Sequence, residues 1–260
     1  MTAAPWWLGP LTPFDIETTG INVREDRIVT GFVGTVGPRR PGGRMLDVRA
    51  NVLINPGVPI PPEASAVNGL TDEVVRAKGA DPYDAINGLA EELARSLVAH
   101  IPVIGHNISF DLSMLYWECL RWGLPTVAER MGLPPAANVG PIIDTLVLDK
   151  HTEQYRRGSR KLADHPEKGP GVATHYGIPL AAAHEAEADA MAAAGVAVRI
   201  AEKYPDEIMG DPRQLHQVQK LWAFDQRGSL QTWLRKKNND PTLTIDRCWP
   251  MCTSPDHPAG

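Results

Sequence analysis

The chain has 260 residues, a formal net charge of −5, 43% hydrophobic residues and 22% charged residues. This composition is typical of a folded globular protein with a sizeable core, and the negative charge argues against an extended surface for duplex DNA. Three cysteines are too few for a disulfide framework, and no run approaches the ~18 apolar residues that span a bilayer. We therefore expect a soluble cytoplasmic protein with no membrane partner.

Three strands are predicted first, over residues 11–17, 27–36 and 45–54. The second is rich in valine, isoleucine and threonine, and a turn rich in glycine and proline separates it from the third. Neighbouring strands with short connections indicate an antiparallel meander.

Helices and short strands alternate after the meander. Residues 82–98 carry apolar side chains at helical spacing, and a second helix is expected around residues 112–119. Short strands are predicted over residues 102–105 and 142–148, and an alanine-rich helix over residues 185–201. This order predicts an α/β fold built around one mixed sheet.

A change of composition near residue 205 divides the chain. We expect residues 8–204 to form the main domain, and residues 205–260 to form a C-terminal helical extension and tail. Residues 215–237 have the amphipathic spacing of one or two helices, and the tail is expected to contact the main domain through Trp249.

The tail contains two of the three cysteines. Cys248 and Cys252 are separated by three residues, and His257 follows them. Zinc sites usually offer four ligands at tighter spacings, so the likeness to a metal site is loose. The sequence favours incidental thiols and leaves a zinc site as the minor alternative.

Acidic residues stand at the ends of several predicted elements. Asp15 and Glu17 are two apart in a strand and project from one face, where two carboxylates repel each other unless a cation lies between them. Asp111 is expected at the start of a helix, and Asp189 lies in the alanine-rich helix, five residues after His184. Together they provide carboxylate oxygens for two Mg²⁺ or Mn²⁺ ions and a histidine that can take a proton from water.

Three segments that contain these residues, FDIETTG, GHNISFD and HEAEADA, resemble the motifs of the DnaQ-like DEDDh exonucleases, in the same order. The resemblance covers roughly residues 8–204, with further likeness in INPGVPIPPEASAVNGLTDEVV and IIDTLVLDK. It implies a ribonuclease-H-like five-stranded mixed sheet flanked by helices. It also implies removal of nucleotides from 3′ ends as nucleoside 5′-monophosphates.

The resemblance assigns a role to ten residues. Four would bind two divalent ions, Mg²⁺ or Mn²⁺, with Asp15 shared between the ions and Asp111 acting through water: Asp15, Glu17, Asp111 and Asp189. His184 would be the general base. The backbone at Thr18 and Thr19 would receive the terminal nucleotide, in a pocket shaped by three further residues: His106, Asn107 and Phe110.

Two segments between the second and third motifs stand out. Residues 164–171 interrupt a helix that is usually continuous in the family, and we expect them to form a loop near the site. Residues 155–161 form the one dense basic run. A solvated loop and a loop that binds nucleic-acid backbone, with Tyr155 stacked on a base, are equally favoured.

These observations together predict a metal-dependent 3′→5′ exonuclease that acts on single-stranded ends, with DNA favoured over RNA. Trimming of RNA ends stays open, because no residue reveals a contact to the 2′-hydroxyl group. A polymerase-associated subunit that docks through residues 205–260 is the alternative from another class of protein. The complete set of catalytic positions argues against a purely structural role.

Overall fold

The computed structural model describes residues 4–180 and 182–254. Within them a mixed sheet of five strands has the order β3-β2-β1-β4-β5. The strands are β1 (Thr12–Thr18), β2 (Ile28–Val36), β3 (Leu46–Leu53), β4 (Val103–Gly105) and β5 (Ile142–Asp144). The helices that flank the sheet are α1 (Pro62–Asn68), α2 (Asp72–Lys78), α3 (Pro82–Val98), α4 (Ser109–Arg121), α5 (Val127–Arg130), α6 (Thr145–Thr152), α7 (Val172–His175), α8 (Ala186–Lys203) and α9 (Pro212–Asn238).

The first three strands are antiparallel, as the meander prediction requires. β1 runs parallel to β4, and β4 runs parallel to β5. The carboxyl ends of parallel strands meet at one end of a sheet, which is where ligands usually bind in α/β folds. The residues at the ends of β1, β4 and β5 are therefore brought together.

Small side chains let helices approach the sheet closely. Ala186 and Ala190 of α8 are buried against Phe32 of β2, which places the start of this helix over the sheet. On α3, Leu89 is fully buried, and a Cβ atom added to Gly31 would lie 2.6 Å from Leu89 Cδ1. The burial of these apolar surfaces holds the two helices on the sheet.

The structure corrects one predicted strand. Residues 142–148 were expected to be extended, but β5 ends at Asp144 and α6 begins at Thr145. The carboxylate of Asp144 accepts the N–H of Leu146 at 3.0 Å and so provides the helix N-cap. The segment is apolar throughout, and a short apolar run does not distinguish a strand from a buried helix.

The C-terminal extension forms one long helix, α9, which covers the outer edge of β5. His216 Nδ1 accepts the N–H of Ile142 at 3.2 Å. The Gln219 side chain accepts the N–H of Asp144 and donates to the carbonyl of Ile142, both at 2.9 Å. These side chains satisfy backbone groups that another strand would otherwise pair.

The tail also packs on the main domain. Trp249 is buried, and its Nε1 donates to Asp144 at 3.2 Å, which is the contact expected from the sequence. The division between residues 204 and 205 stays a prediction. Among the described residues, no helix combines the length and hydropathy that crossing a membrane requires.

Candidate active site

Four carboxyl groups meet near the carboxyl end of β1. Asp15 and Glu17 lie in this strand, Asp111 lies in the first turn of α4, and Asp189 lies in the first turn of α8. Asp111 Oδ1 accepts the N–H of Ile16 at 3.2 Å, which joins α4 to β1. The structure thus brings together the four acidic residues that the sequence singled out.

The environment of this cluster opposes negative charge. Burial, followed by repulsion from Asp111, Asp189 and Glu17, raises the pKa of Asp15 well above its usual range. Burial and the charge of Asp189 raise the pKa of Glu17 to about 8. Burial also raises the pKa of Asp111 and the pKa of Asp189. Within the described part of the chain, no lysine or arginine forms an ion pair with these four carboxyl groups.

The donor set fits a divalent cation. Asp189 Oδ1 is buried and has no hydrogen-bond partner among the described residues, while Asp189 Oδ2 accepts the N–H of His184 at 3.1 Å. Ligand atoms of Glu17, His184 and Asp189 lie within 4.8 Å of one another. A cation would offset the repulsion, and carboxylate oxygens favour hard ions such as Mg²⁺ or Mn²⁺.

His184 stands two residues before α8 in an unusual backbone conformation. Its φ is 69°, in the left-handed region that residues other than glycine rarely adopt. The hydrogen bond from its N–H to Asp189 helps to hold this conformation. Backbone strain of this kind is concentrated at functional sites, where surrounding contacts maintain it.

The cluster opens into a cleft of about 740 Å³, which is within the usual range for small-molecule sites. Asp15, His184 and Asp189 line one part of the cleft. Residues 158–166 and the side chain of Lys150 line another part. The cleft therefore brings the carboxyl groups, the histidine and basic side chains to one solvent-accessible space.

His106 and Asn107 also line this cleft. His106 Nε2 lies 2.9 Å from the carbonyl oxygen of Arg160, to which it donates, and Nδ1 lies 2.9 Å from Thr145 Oγ1. Burial lowers the pKa of His106. Both ring nitrogens are thus engaged within the protein. The N–H of Asn107, whose φ is 60°, donates to Asp144 Oδ1 at 2.9 Å.

The structure gives less direct information on the three remaining predicted nucleotide contacts, those of Thr18, Thr19 and Phe110. The N–H of Thr19 donates to the carbonyl of Arg27 at 2.9 Å, and its hydroxyl donates to Asp26 Oδ1 at 3.0 Å. The Thr19 amide is therefore engaged in the turn after β1. Phe110 lines a second cleft that adjoins the first. The contacts of Thr18, Thr19 and Phe110 with a nucleotide stay predictions.

Ion pairs hold residues 155–161 in a defined conformation. Arg156 Nε and Nη2 lie 2.8 and 2.9 Å from the two carboxylate oxygens of Asp149, and Arg160 Nη1 lies 2.7 Å from Oδ2. Asp149 is fully buried. The sequence suggested a solvated loop or a loop that binds nucleic-acid backbone. Neither interpretation describes Arg156 and Arg160, because both side chains pair with a buried carboxylate. Lys161 of the same run lines the cleft, whereas Tyr155 is 90% exposed.

Sequence reasoning missed two residues beside the cleft. Asp144 is buried and accepts hydrogen bonds from the N–H of Asn107 and from Trp249 Nε1. Lys150 lines the cleft, and burial lowers its pKa. Both lie in the segment IIDTLVLDK, whose likeness to the family was noted without a role for either residue. By contrast, residues 164–166 do lie beside the site, as expected for that loop.

Comparisons with known proteins show the family to which the chain belongs. Residues 13–197 match the family model of the RNase T type, which is described as Exonuclease. The chain is 29% identical over 183 residues to DNA polymerase III subunit epsilon of Treponema pallidum, covering 69% of this chain and 70% of that protein. It is 28% identical over 147 residues to the PolC-type DNA polymerase III of Listeria monocytogenes, covering 56% of this chain and 9% of that protein.

A solved structure shows the same fold. The chain is similar to E. coli exonuclease I in complex with a dT13 oligonucleotide, with a TM-score of 0.56 and 18% identity, over 76% of this chain and 42% of that one. The protein therefore belongs to the exonuclease family. The predicted ribonuclease-H-like sheet is confirmed, and so is the relationship to the DnaQ-like exonucleases.

Proposed function

We propose that the protein is a divalent-metal-dependent 3′→5′ exonuclease that hydrolyses single-stranded DNA ends to nucleoside 5′-monophosphates. The observation that carries this proposal is the uncompensated carboxyl cluster. It contains four buried or half-buried carboxyl groups, the unpartnered Oδ1 of Asp189 and the imidazole of His184 beside one open cleft.

Each residue of the cluster has a part in the proposed reaction. Asp15, Glu17 and Asp189 would hold one divalent ion, and Asp15 with Asp111 would hold the second. Two bound ions supply charge neutralisation and Lewis acidity at the scissile phosphodiester. His184 would accept the proton that the attacking water must lose, and its main-chain hydrogen bond to Asp189 would keep the imidazole beside the reacting group.

The walls of the cleft support a nucleic-acid strand as substrate. Lys150, Lys161 and Lys168 line it and would contact phosphate groups. Overall the chain is negative, so it offers little attraction to an extended duplex. We favour DNA over RNA because the two relatives described above are a DNA polymerase and a DNA polymerase subunit, and the similar solved structure holds a dT13 oligonucleotide.

The same relatives support a role in proofreading or repair. The Treponema protein is named as a subunit of DNA polymerase III, and this chain covers 70% of it. We therefore propose a DNA polymerase as a partner, with residues 205–260 as the docking element. Co-purification of the full chain with a polymerase would support this role. The cytoplasmic location that the sequence suggested stays a prediction.

The activity is tested with the full chain and a single DNA strand labelled at its 5′ end. We expect a ladder of shortened products and release of mononucleotides, complete loss of cleavage in a chelator, and recovery with Mg²⁺ or Mn²⁺. An RNA strand of the same sequence should be cut more slowly, and so should a blunt duplex. Cleavage of a closed circular single strand would contradict the exonuclease assignment.

A further inference from the structure

A second group of metal-binding side chains converges in the C-terminal tail. The carboxylate of Asp246 and the thiols of Cys248 and Cys252 place one ligand atom each within 4.8 Å of the others. Zinc–sulfur bonds of ~2.3 Å in a tetrahedral site hold sulfur atoms ~3.8 Å apart. The three groups therefore need only small movements to share one ion.

Hydrogen bonds hold this part of the tail in place. The N–H of Cys252 donates to Ser113 Oγ at 2.7 Å, and its carbonyl accepts from Trp117 Nε1 at 3.2 Å, so Cys252 is anchored on α4. The N–H of Cys248 donates to Asp246 Oδ1 at 2.6 Å. Because the ligands are already ordered, an ion would bind with a small loss of conformational entropy.

The chemistry of the group suits a soft divalent ion. Asp246 hydrogen bonds with both thiols. Thiolate sulfur selects zinc over magnesium, whereas the cluster around Asp15 offers oxygen and imidazole donors.

We propose that Asp246, Cys248 and Cys252 form a structural zinc site that cross-links the part of the tail anchored on α4 by Cys252. One Zn²⁺ replaces the two thiol protons, which pass to the solvent, and forms two Zn–S bonds and one Zn–O bond. The charge of the group stays −1 and no oxidation takes place. Water completes the tetrahedron. This proposal replaces the interpretation of the two cysteines as incidental thiols; His257 lies outside the described residues.

The site has a direct link to the neighbourhood of the cleft. Cys248 and Cys252 line a second cleft of about 500 Å³, together with Asn107 and Phe110. Trp249, the residue after Cys248, donates a hydrogen bond from its Nε1 to Asp144. A bound ion would therefore stiffen a wall that adjoins the predicted nucleotide pocket.

The test uses the reduced, metal-free full chain carrying Asp15→Asn, which weakens the carboxyl cluster as a competing site. Co²⁺ is added alone, followed by Zn²⁺. We expect one equivalent of Co²⁺ to produce the strong ultraviolet thiolate-to-cobalt charge-transfer band, and Zn²⁺ to abolish it. The band should persist in Cys119→Ala, which removes the one cysteine outside the proposed site, and disappear in Cys248→Ser/Cys252→Ser.

Two results would overturn the proposal. One is the lack of a thiolate charge-transfer band in the protein with all its cysteines, which needs no variant of the tail to fold. The other is the persistence of that band in the double serine variant. As an independent measurement, saturating Zn²⁺ should raise Tm by ~5 °C in the Asp15→Asn chain, since an ion that binds only the folded state stabilises it. An equal rise in the double serine variant would contradict the site.

A disulfide is the competing chemistry for the same pair of cysteines. If the thiols oxidise to one another and the reduced chain binds no Zn²⁺, the pair is a redox couple and the zinc site is wrong. Loss of exonuclease activity has no bearing on these readouts. Failure of the proposed zinc site and failure of the proposed function are therefore distinguishable.

Discussion

Asp149 is a fully buried carboxyl group and Asp15 is a half-buried one, and their surroundings are opposite. Asp149 lies between Arg156 and Arg160, with three N–O distances of 2.7–2.9 Å. Asp15 faces three other carboxyl groups, and among the described residues no lysine or arginine pairs with it. A buried charge needs a partner, and of these two carboxyl groups Asp149 has one within the described part of the chain. The carboxyl group left without compensation is the one that we propose as a ligand shared by the divalent ions.

The two regions are also connected. Arg160, which pairs with Asp149, offers its carbonyl oxygen to His106 at the edge of the cleft. Lys161 follows directly and lines the cleft. The ion pairs of Asp149 therefore hold residues 160 and 161 in place along the cleft. In this way Asp149 supports the structure around the carboxyl cluster that contains Asp15.

The largest expected effect is on catalysis, from Asp15→Asn. We expect activity to fall by more than ~10⁴-fold, beyond the usual loss from a missing general base, because a shared ligand of both ions is removed. The metal-free variant should nevertheless have a higher free energy of unfolding than the wild type, because repulsion is relieved. Urea unfolding in a chelator and the strand-shortening assay measure the two effects. A less stable variant would contradict the account of repulsion.

His184→Ala should lower the rate by ~10²–10⁴-fold, the range for a lost general base, while divalent-ion affinity changes little. His184→Asn should not restore the rate, because an amide does not take up the proton. The pH–rate profiles of the wild type and His184→Ala at saturating Mn²⁺ are compared. The same rate and the same acidic limb in both proteins would exclude His184 from the mechanism.

Asp149→Asn tests the compensated side of the comparison. Removing one partner of a buried ion pair leaves Arg156 without its counter-charge and should cost ~3–5 kcal/mol of unfolding free energy. Asp47→Asn is the control, because Asp47 pairs with Arg49 at the exposed surface, and stability should change little. Denaturant unfolding of the two variants measures this contrast. Equal stability of both variants would show that Asp149 is not a structural support.

The pH dependence of stability gives the smallest expected effect. The folded pKa of Glu17 is about 8, above its unfolded value, so the folded state binds more protons than the unfolded state between about pH 4.5 and 8. Stability of the metal-free protein should therefore fall as pH rises through this interval. The contribution of Glu17 to stability is best measured between pH 6.5 and pH 8. Burial lowers the pKa of His216 to about 4, so protonation of His216 changes stability mainly below this range.

Saturating Mn²⁺ should remove most of this decrease, since the ion takes the place of the protons. Unfolding free energies at pH 6.5 and pH 8, with and without Mn²⁺, measure the effect. A metal-free protein that becomes more stable over this interval would contradict the raised pKa of Glu17.

Local spacing made part of the site predictable. The two-residue period of a strand placed Asp15 and Glu17 on one face, and the structure has them together beside Asp189. The helix spacing of residues 82–98 likewise predicted α3 with its observed bounds. Such features depend on neighbours in the chain, which is why a single sequence reveals them.

Features that depend on distant contacts were not predictable. The pairing of Arg156 and Arg160 with Asp149 was not predicted. The sequence placed Asp149 just beyond a strand, whereas it lies inside α6, where its side chain reaches both arginines. The thiols of Cys248 and Cys252 lie close together because the tail folds back on α4. No periodic pattern in the sequence predicts the course of the tail. The edge contacts of His216 and Gln219 with β5 needed the position of α9.

The cover that α9 provides over β5 has a consequence for the way copies of this chain meet. Any sheet shared between two molecules must start from β3, the opposite edge, where Leu46 and Val48 are partly exposed. If two molecules pair through β3 alone, they form a closed dimer to which no further molecule can add by strand pairing. A shortened chain without α9 would present two open edges, and strand could add to strand in both directions, which is the geometry of a growing fibril.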